Sequence, residues 1–273
     1  MLDQLIQTIL LGLIQGISEW LPISSTAHLK LVEYFFGFAV TPLFNLILHV
    51  GTLAVLIFFF RKEVKGILVA LGHLDFKSEN GMLIPRIVVA TIPTAVIGLV
   101  YDLFLTNKTS SFYQSSLETI PVIAVTFLIG ATIVYSTKFA KEDKDLLSYK
   151  IVIVMGVAQG FAIFPGLSRS GITISTALLL GLRRNKAFKF SFLLSIPAIL
   201  GDLAVEGYAQ RGQLSTIAIN PLDVLAGVIA AVVVGYFALR LIAKVIQGRK
   251  FHYFAFYTWA LGIALLLVTL FIQ

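Results

Sequence analysis

Six stretches of this chain are apolar enough, and at roughly 20 residues long enough, to cross a lipid bilayer as helices. They cover residues 43–60, 83–105, 119–138, 186–205, 222–246 and 252–272. Composition points the same way. Of 273 residues, 58% are hydrophobic and 13% are charged, whereas a soluble domain carries about a quarter charged. That argues against a water-soluble enzyme, a disordered chain and a nucleic-acid binder. The chain lacks cysteine, which excludes a disulfide framework, a thiolate metal site and a thiol nucleophile.

Two further apolar stretches, residues 2–37 and 151–182, are too long for one crossing and are broken. The first holds Glu19-Trp20-Leu21-Pro22, then Ser24-Ser25-Thr26 and His28. The second holds Phe164-Pro165-Gly166, then Ser168-Arg169-Ser170. Proline removes a backbone donor and clashes with the preceding turn. Irregular backbone at membrane depth persists only inside protein or beside a watery cavity. Both stretches therefore read as re-entrant helical hairpins.

Charge supports this topology. The segments 61–82, 138–150, 183–189 and 240–250 carry four Lys/Arg each, sixteen of the 21 in the chain. Lys30, Lys108 and Arg211 lie in other loops, and Arg86 and Arg169 within apolar stretches. The excess of basic residues marks cytoplasmic loops, so the net charge of +7 is mainly a topology signal. Segments 138–150 and 183–189 then share one side, and 151–182 must enter and leave by the same face.

The two halves resemble each other. Gly12-Leu13-Ile14-Gln15-Gly16 aligns with Gly156-Val157-Ala158-Gln159-Gly160, and a serine, Ser24 or Ser168, follows each Gln by nine residues. Each half adds three spans, an odd number, which inverts the second. The expected fold is all-α and integral to the membrane: six transmembrane helices plus two re-entrant hairpins in an inverted-topology repeat. The first repeat covers 1–140 and the second 150–273. Inverted repeats with broken helices place sites near the bilayer midplane. The N-terminus has no basic segment or cleavage site, so no cleaved signal peptide is expected.

An ionisable residue at bilayer depth costs about 2.5–3.5 kcal/mol on insertion scales, which makes it a functional candidate. Gln15 and Glu19 lie four apart on one helical face. If the hairpin tips meet, Glu19, His28, Arg169 and the hydroxyls of Ser24, Ser25, Thr26, Ser168, Ser170 and Thr173 share a pocket. That inventory suits a phosphate. Arg169 offers a fork of donors, and Gly166 to Ser168 at a helix start offers free N–H groups. A carboxylate can hold Mg²⁺ or Ca²⁺ beside substrate phosphates. A serine within reach of an imidazole can be a nucleophile with its base, and either Ser24 or Ser25 is spaced to approach His28.

The segment from Gln15 through His28 resembles the Glu/Gln-x-x-x-Glu region of the undecaprenyl-diphosphate phosphatase, or bacitracin-resistance, family. Pro165-Gly166-Leu167-Ser168-Arg169-Ser170-Gly171-Ile172-Thr173 matches that family's Pro-Gly-x-Ser-Arg-Ser-x-x-Thr motif at every defined position. The resemblance extends over essentially the whole chain. It implies removal of the terminal phosphate from a C55 polyprenyl diphosphate with a divalent cation, Mg²⁺ or Ca²⁺, in a multi-pass protein of the plasma membrane. It makes Ser25 the nucleophile, His28 its proton partner, Arg169 the diphosphate clamp and Glu19 with Gln15 the metal motif. Gln15, Ser24, Thr26, Gly166, Ser168, Ser170 and Thr173 would bind substrate. Many members have Glu where this chain has Gln15, which supplies no second negative charge. The partners implied are the polyprenyl lipid and the bilayer, without nucleic acid, and a homodimer is compatible with the reading.

The rival function is a transporter or flippase of polyprenyl phosphate, suggested by the inverted repeat, and a third is hydrolysis of another lipid phosphate. At the residue level, Gln15 could be an interhelical hydrogen-bonder and Glu19 a structural partner of Arg169. Ser24, Thr26 and Ser168 could be helix caps. His49 reads as a packing residue, His73 and His252 as loop residues, and Asp202 and Glu206 carry no assignment.

Overall fold

A computed structural model describes residues 2–38, 41–101, 103, 119–209, 211 and 220–272. Lys108 and the predicted end of span 83–105 lie outside the described residues. Eleven α-helices carry the described chain: α1 (Leu2–Trp20), α2 (Ser25–Phe36), α3 (Pro42–Phe59), α4 (Arg61–Gly72), α5 (Leu83–Tyr101), α6 (Ile120–Ser136), α7 (Tyr149–Phe161), α8 (Arg169–Leu179), α9 (Arg184–Ala209), α10 (Pro221–Gln247) and α11 (Phe254–Ile272). Among the described residues there is no β-strand, only a single bridge between Lys144 and Leu182. Six helical segments are long and apolar enough to cross a membrane: Pro42–Phe59, Leu83–Tyr101, Ile120–Phe139, Arg184–Ala209, Pro221–Gln247 and Phe251–Phe271. They correspond to the six expected spans. The protein is a multi-pass integral membrane protein.

Helix starts follow local chemistry. Thr41 accepts the Phe44 N–H ahead of Pro42, and Asn220 accepts the Leu222 N–H ahead of Pro221, so each polar cap precedes a proline that needs no partner for its missing N–H. One expectation changes. Segment 61–82, read as a loop, begins with the 12-residue helix α4.

Packing relies on glycine. α1 lies along α10, and α7 along α5. A Cβ on Gly12 would sit 2.0 Å from the Gly227 carbonyl oxygen, and one on Gly156 would sit 2.0 Å from that of Ala90. Neither backbone can retreat, so both contacts need a residue without a side chain. The largest of three core clusters among the described residues has Trp20, Phe60, Phe188 and Phe192 at its aromatic centre.

All four basic segments meet at one end of the bundle. Lys189 lies 3.7 Å from Glu63 and from Glu79. Arg183 and Lys186 pair with Asp145 at 3.1 and 2.9 Å, and Arg184 pairs with Glu142. Arg184 also donates to the Ile246 carbonyl at 3.5 Å. From Arg184, α9 climbs to Asp202, eighteen residues or about 27 Å away.

Candidate active site

The two breaks meet. Between α1 and α2, residues Leu21 to Ser24 leave the helix, and Ser24 takes φ 69°. Between α7 and α8 the turn contains Gly166 at φ 100°, where a Cβ would stand 2.1 Å from Thr126 Oγ1. Only glycine fits both that angle and that space. A helix end at membrane depth strands its last carbonyls. Here Ser170 Oγ donates to the Trp20 carbonyl (3.2 Å), and Ser168 Oγ lies 3.3 Å from the Leu21 carbonyl as donor. In return the Gly166 N–H donates to Ser24 Oγ (3.1 Å), and Thr126 Oγ1 donates to the Pro165 carbonyl (2.5 Å). Ser168 also caps α8, accepting the Gly171 N–H at 3.2 Å. The polar groups of Ser24, Gly166, Ser168 and Ser170 thus tie one break to the other. Thr26 is exposed.

Beside this junction is a small, narrow cavity lined by Glu19, Trp20, Arg169, Ser170, Thr173, Ser191, Phe192 and Ser195. Glu19 comes from the last turn of α1, Arg169 and Thr173 from α8, and the last three from α9. Glu19 Oε2 accepts hydrogen bonds from Gln15 Nε2 (3.0 Å) and Ser25 Oγ (2.7 Å). Gln15 is buried, and its Oε1 has no partner. Arg169 Nη2 lies 3.4 Å from Asp202, while its Nη1 is buried without a partner. Thr173 hydrogen-bonds Ser191 across the cavity wall.

The structure joins Ser25 to Glu19 and does not join it to His28. His28 Nδ1–H donates to the Ser24 carbonyl (2.7 Å), and Nε2 meets the Tyr257 hydroxyl of α11 at 2.7 Å. Both ring nitrogens are engaged. Ser25 is the first residue of α2 and reaches back over the break, whereas His28 lies on the face turned to α11. The imidazole beside Glu19 is instead His49 of α3, with Nε2 3.6 Å from Oε2 and Nδ1–H held by the Asn45 carbonyl at 2.9 Å. Sequence reasoning read His49 as packing and passed over Ser191 and Asp202. Only Ser191 and Ser195, four apart on one helix face, left a signal that could have been read.

A hard divalent cation takes oxygen ligands and keeps open positions for substrate. The Glu19 carboxylate, the unpartnered Gln15 Oε1 and the Ser25 hydroxyl are the oxygens that would hold such a cation. Among the described residues no group of three or more His, Cys, Asp or Glu gathers, so substrate oxygens would have to complete the shell.

A family model described as bacitracin resistance protein BacA matches residues 8–264. The chain belongs to the BacA family. The match spans both breaks and every residue of the cavity. Relatives are similar nearly end to end. A protein of Treponema denticola named undecaprenyl-diphosphatase is 40% identical over 95% of each chain. Proteins of the same name from Carboxydothermus hydrogenoformans and Korarchaeum cryptofilum are each 36% identical, over 96% of both chains and over 96% and 98%.

Proposed function

We propose that this BacA-family protein hydrolyses undecaprenyl diphosphate to the monophosphate and inorganic phosphate, recycling the lipid carrier of envelope glycan synthesis at the plasma membrane. The observation that carries this reading is one cavity lined by Arg169, whose Nη1 has no partner, and by Glu19, whose carboxylate accepts a hydrogen bond from the Ser25 hydroxyl.

Ser25 Oγ attacks the terminal phosphorus, and its proton passes toward Glu19, the acceptor it already faces. The new O–P bond forms as the bond to the bridging oxygen breaks, and polyprenyl monophosphate leaves. Water then cleaves the phosphoserine and releases phosphate. Arg169 binds the equatorial oxygens through its guanidinium, and Thr173, Ser191 and Ser195 supply hydroxyls along the wall. A Mg²⁺ or Ca²⁺ held by Glu19 and Gln15 Oε1 would add positive charge at the phosphate oxygens. His28, turned to Tyr257, holds the start of α2 in place.

The finer architecture belongs to this proposal. At 12, 13 and 11 residues, α2, α7 and α8 are each under about 20 Å, too short for a hydrocarbon core of about 30 Å. That supports re-entrant hairpins. An inverted repeat, with α1 and α7 as counterparts and α10 and α5 as theirs, accounts for the matched pairs α1–α10 and α7–α5 and for their paired glycines. Asp202, the exposed partner of Arg169, stands about 27 Å along α9 from the basic end, which favours approach of substrate from the outer face.

The test is purified protein in detergent given undecaprenyl diphosphate. Release of inorganic phosphate, lost with Arg169→Ala and with chelator, is expected. Lipid movement between leaflets without release would favour a carrier instead.

A further inference from the structure

Asp202 reaches the site from α9, and no motif announced it. Its Oδ2 lies 3.4 Å from Arg169 Nη2, with the aspartate side chain 69% exposed and the arginine 24% exposed. The guanidinium is therefore divided. Nη1 is buried without a hydrogen-bond partner, which costs free energy until an anion arrives. Nη2 is already held by an acid at the exposed mouth. Two-pronged binding of a phosphate by arginine uses both nitrogens, so an entering diphosphate must win Nη2 from Asp202.

We propose that Asp202 is a displaceable counter-ion of Arg169 that weakens the hold on substrate diphosphate and product phosphate alike, and so favours release of inorganic phosphate. This rests on Arg169 being the diphosphate clamp. Before binding, Asp202 at Nη2 and the buried Glu19 carboxylate across the cavity together balance the guanidinium. During the reaction the phosphate takes both prongs. Once the phosphate is free, the carboxylate competes for Nη2 again, and its negative charge repels the departing anion. A solvent-exposed pair of this kind changes an equilibrium by about twofold to fivefold, enough to shift product release without abolishing substrate binding.

Glu206, one turn further along α9, is also an acid but makes no ion pair with Arg169 among the described residues, so it serves as the control. Full-length protein carrying Asp202→Asn, Asp202→Ala or Glu206→Gln would be compared with the wild type in two measurements. One is inhibition of turnover by inorganic phosphate, with KM for undecaprenyl diphosphate. The other is direct binding of inorganic phosphate, read by ³¹P line broadening. Both Asp202 variants are expected to bind phosphate about twofold to fivefold more tightly and to lower KM by a similar factor, without a rise in kcat. The difference should shrink as salt is raised, and Glu206→Gln should leave phosphate affinity unchanged. Unchanged or weaker phosphate binding in the Asp202 variants, or an equal gain in Glu206→Gln, would overturn the proposal. A wild type that releases no phosphate would instead count against the phosphatase reading, while the binding measurement still decides the role of Asp202.

Discussion

At the scale of single residues, serines of the two motifs do different work. Ser25 is turned to Glu19, whereas Ser168 and Ser170 hold the carbonyls stranded where α1 ends. Ser170→Ala should therefore destabilise the protein by about 1–3 kcal/mol, the cost of a buried carbonyl losing its donor, seen as a lower Tm in detergent. Gly166→Ala should do more damage, since φ 100° and Thr126 Oγ1 at 2.1 Å leave a methyl group neither angle nor space. It is expected to lower the yield of folded protein severely. Arg169→Ala should keep the fold and lose about 100- to 1,000-fold in turnover, the loss typical of removing one donor to developing charge. The pairing of Gln15 with Glu19 was legible in the sequence because four residues make one helical turn. The neighbours His49 and Asp202 were not, because they come from α3 and α9 and meet Glu19 and Arg169 only through packing.

At the scale of helices, small residues decide which elements can touch. Gly12→Leu should push α1 off α10 and cost both stability and activity, while Gly98→Ala on α5, where an added Cβ meets nothing within 4 Å, should be neutral or slightly stabilising. Thermal melts of the two variants side by side check the contrast. The six long helices were readable to within a few residues, since an unbroken apolar run of that length has few other solutions in a bilayer. Helix α4 was not. Arg61, Lys62, Glu63 and Lys65 gave it the look of a polar loop, and its helical form depends on its place beside the basic end. The turn of His28 toward Tyr257 was equally hidden, because spacing along α2 says which residues share a face but not which partner from another helix that face will meet.

At the scale of the whole molecule, charge and chemistry lie apart. The basic segments gather at one end, locked by Asp145, Glu142, Glu63 and Glu79, and the cavity lies further along α9, at Ser191 to Ser195. The two breaks are each incomplete alone, since each supplies hydrogen-bond partners that the other lacks. A site made this way depends on both halves of the chain being present together. The most direct test of that site as a phosphatase centre is inorganic phosphate release from undecaprenyl diphosphate by wild type and Ser25→Ala in parallel. Steady release by the wild type, with Ser25→Ala slower by at least about a thousandfold, is the expected result. Near-full release by Ser25→Ala, or none by the wild type, would contradict it.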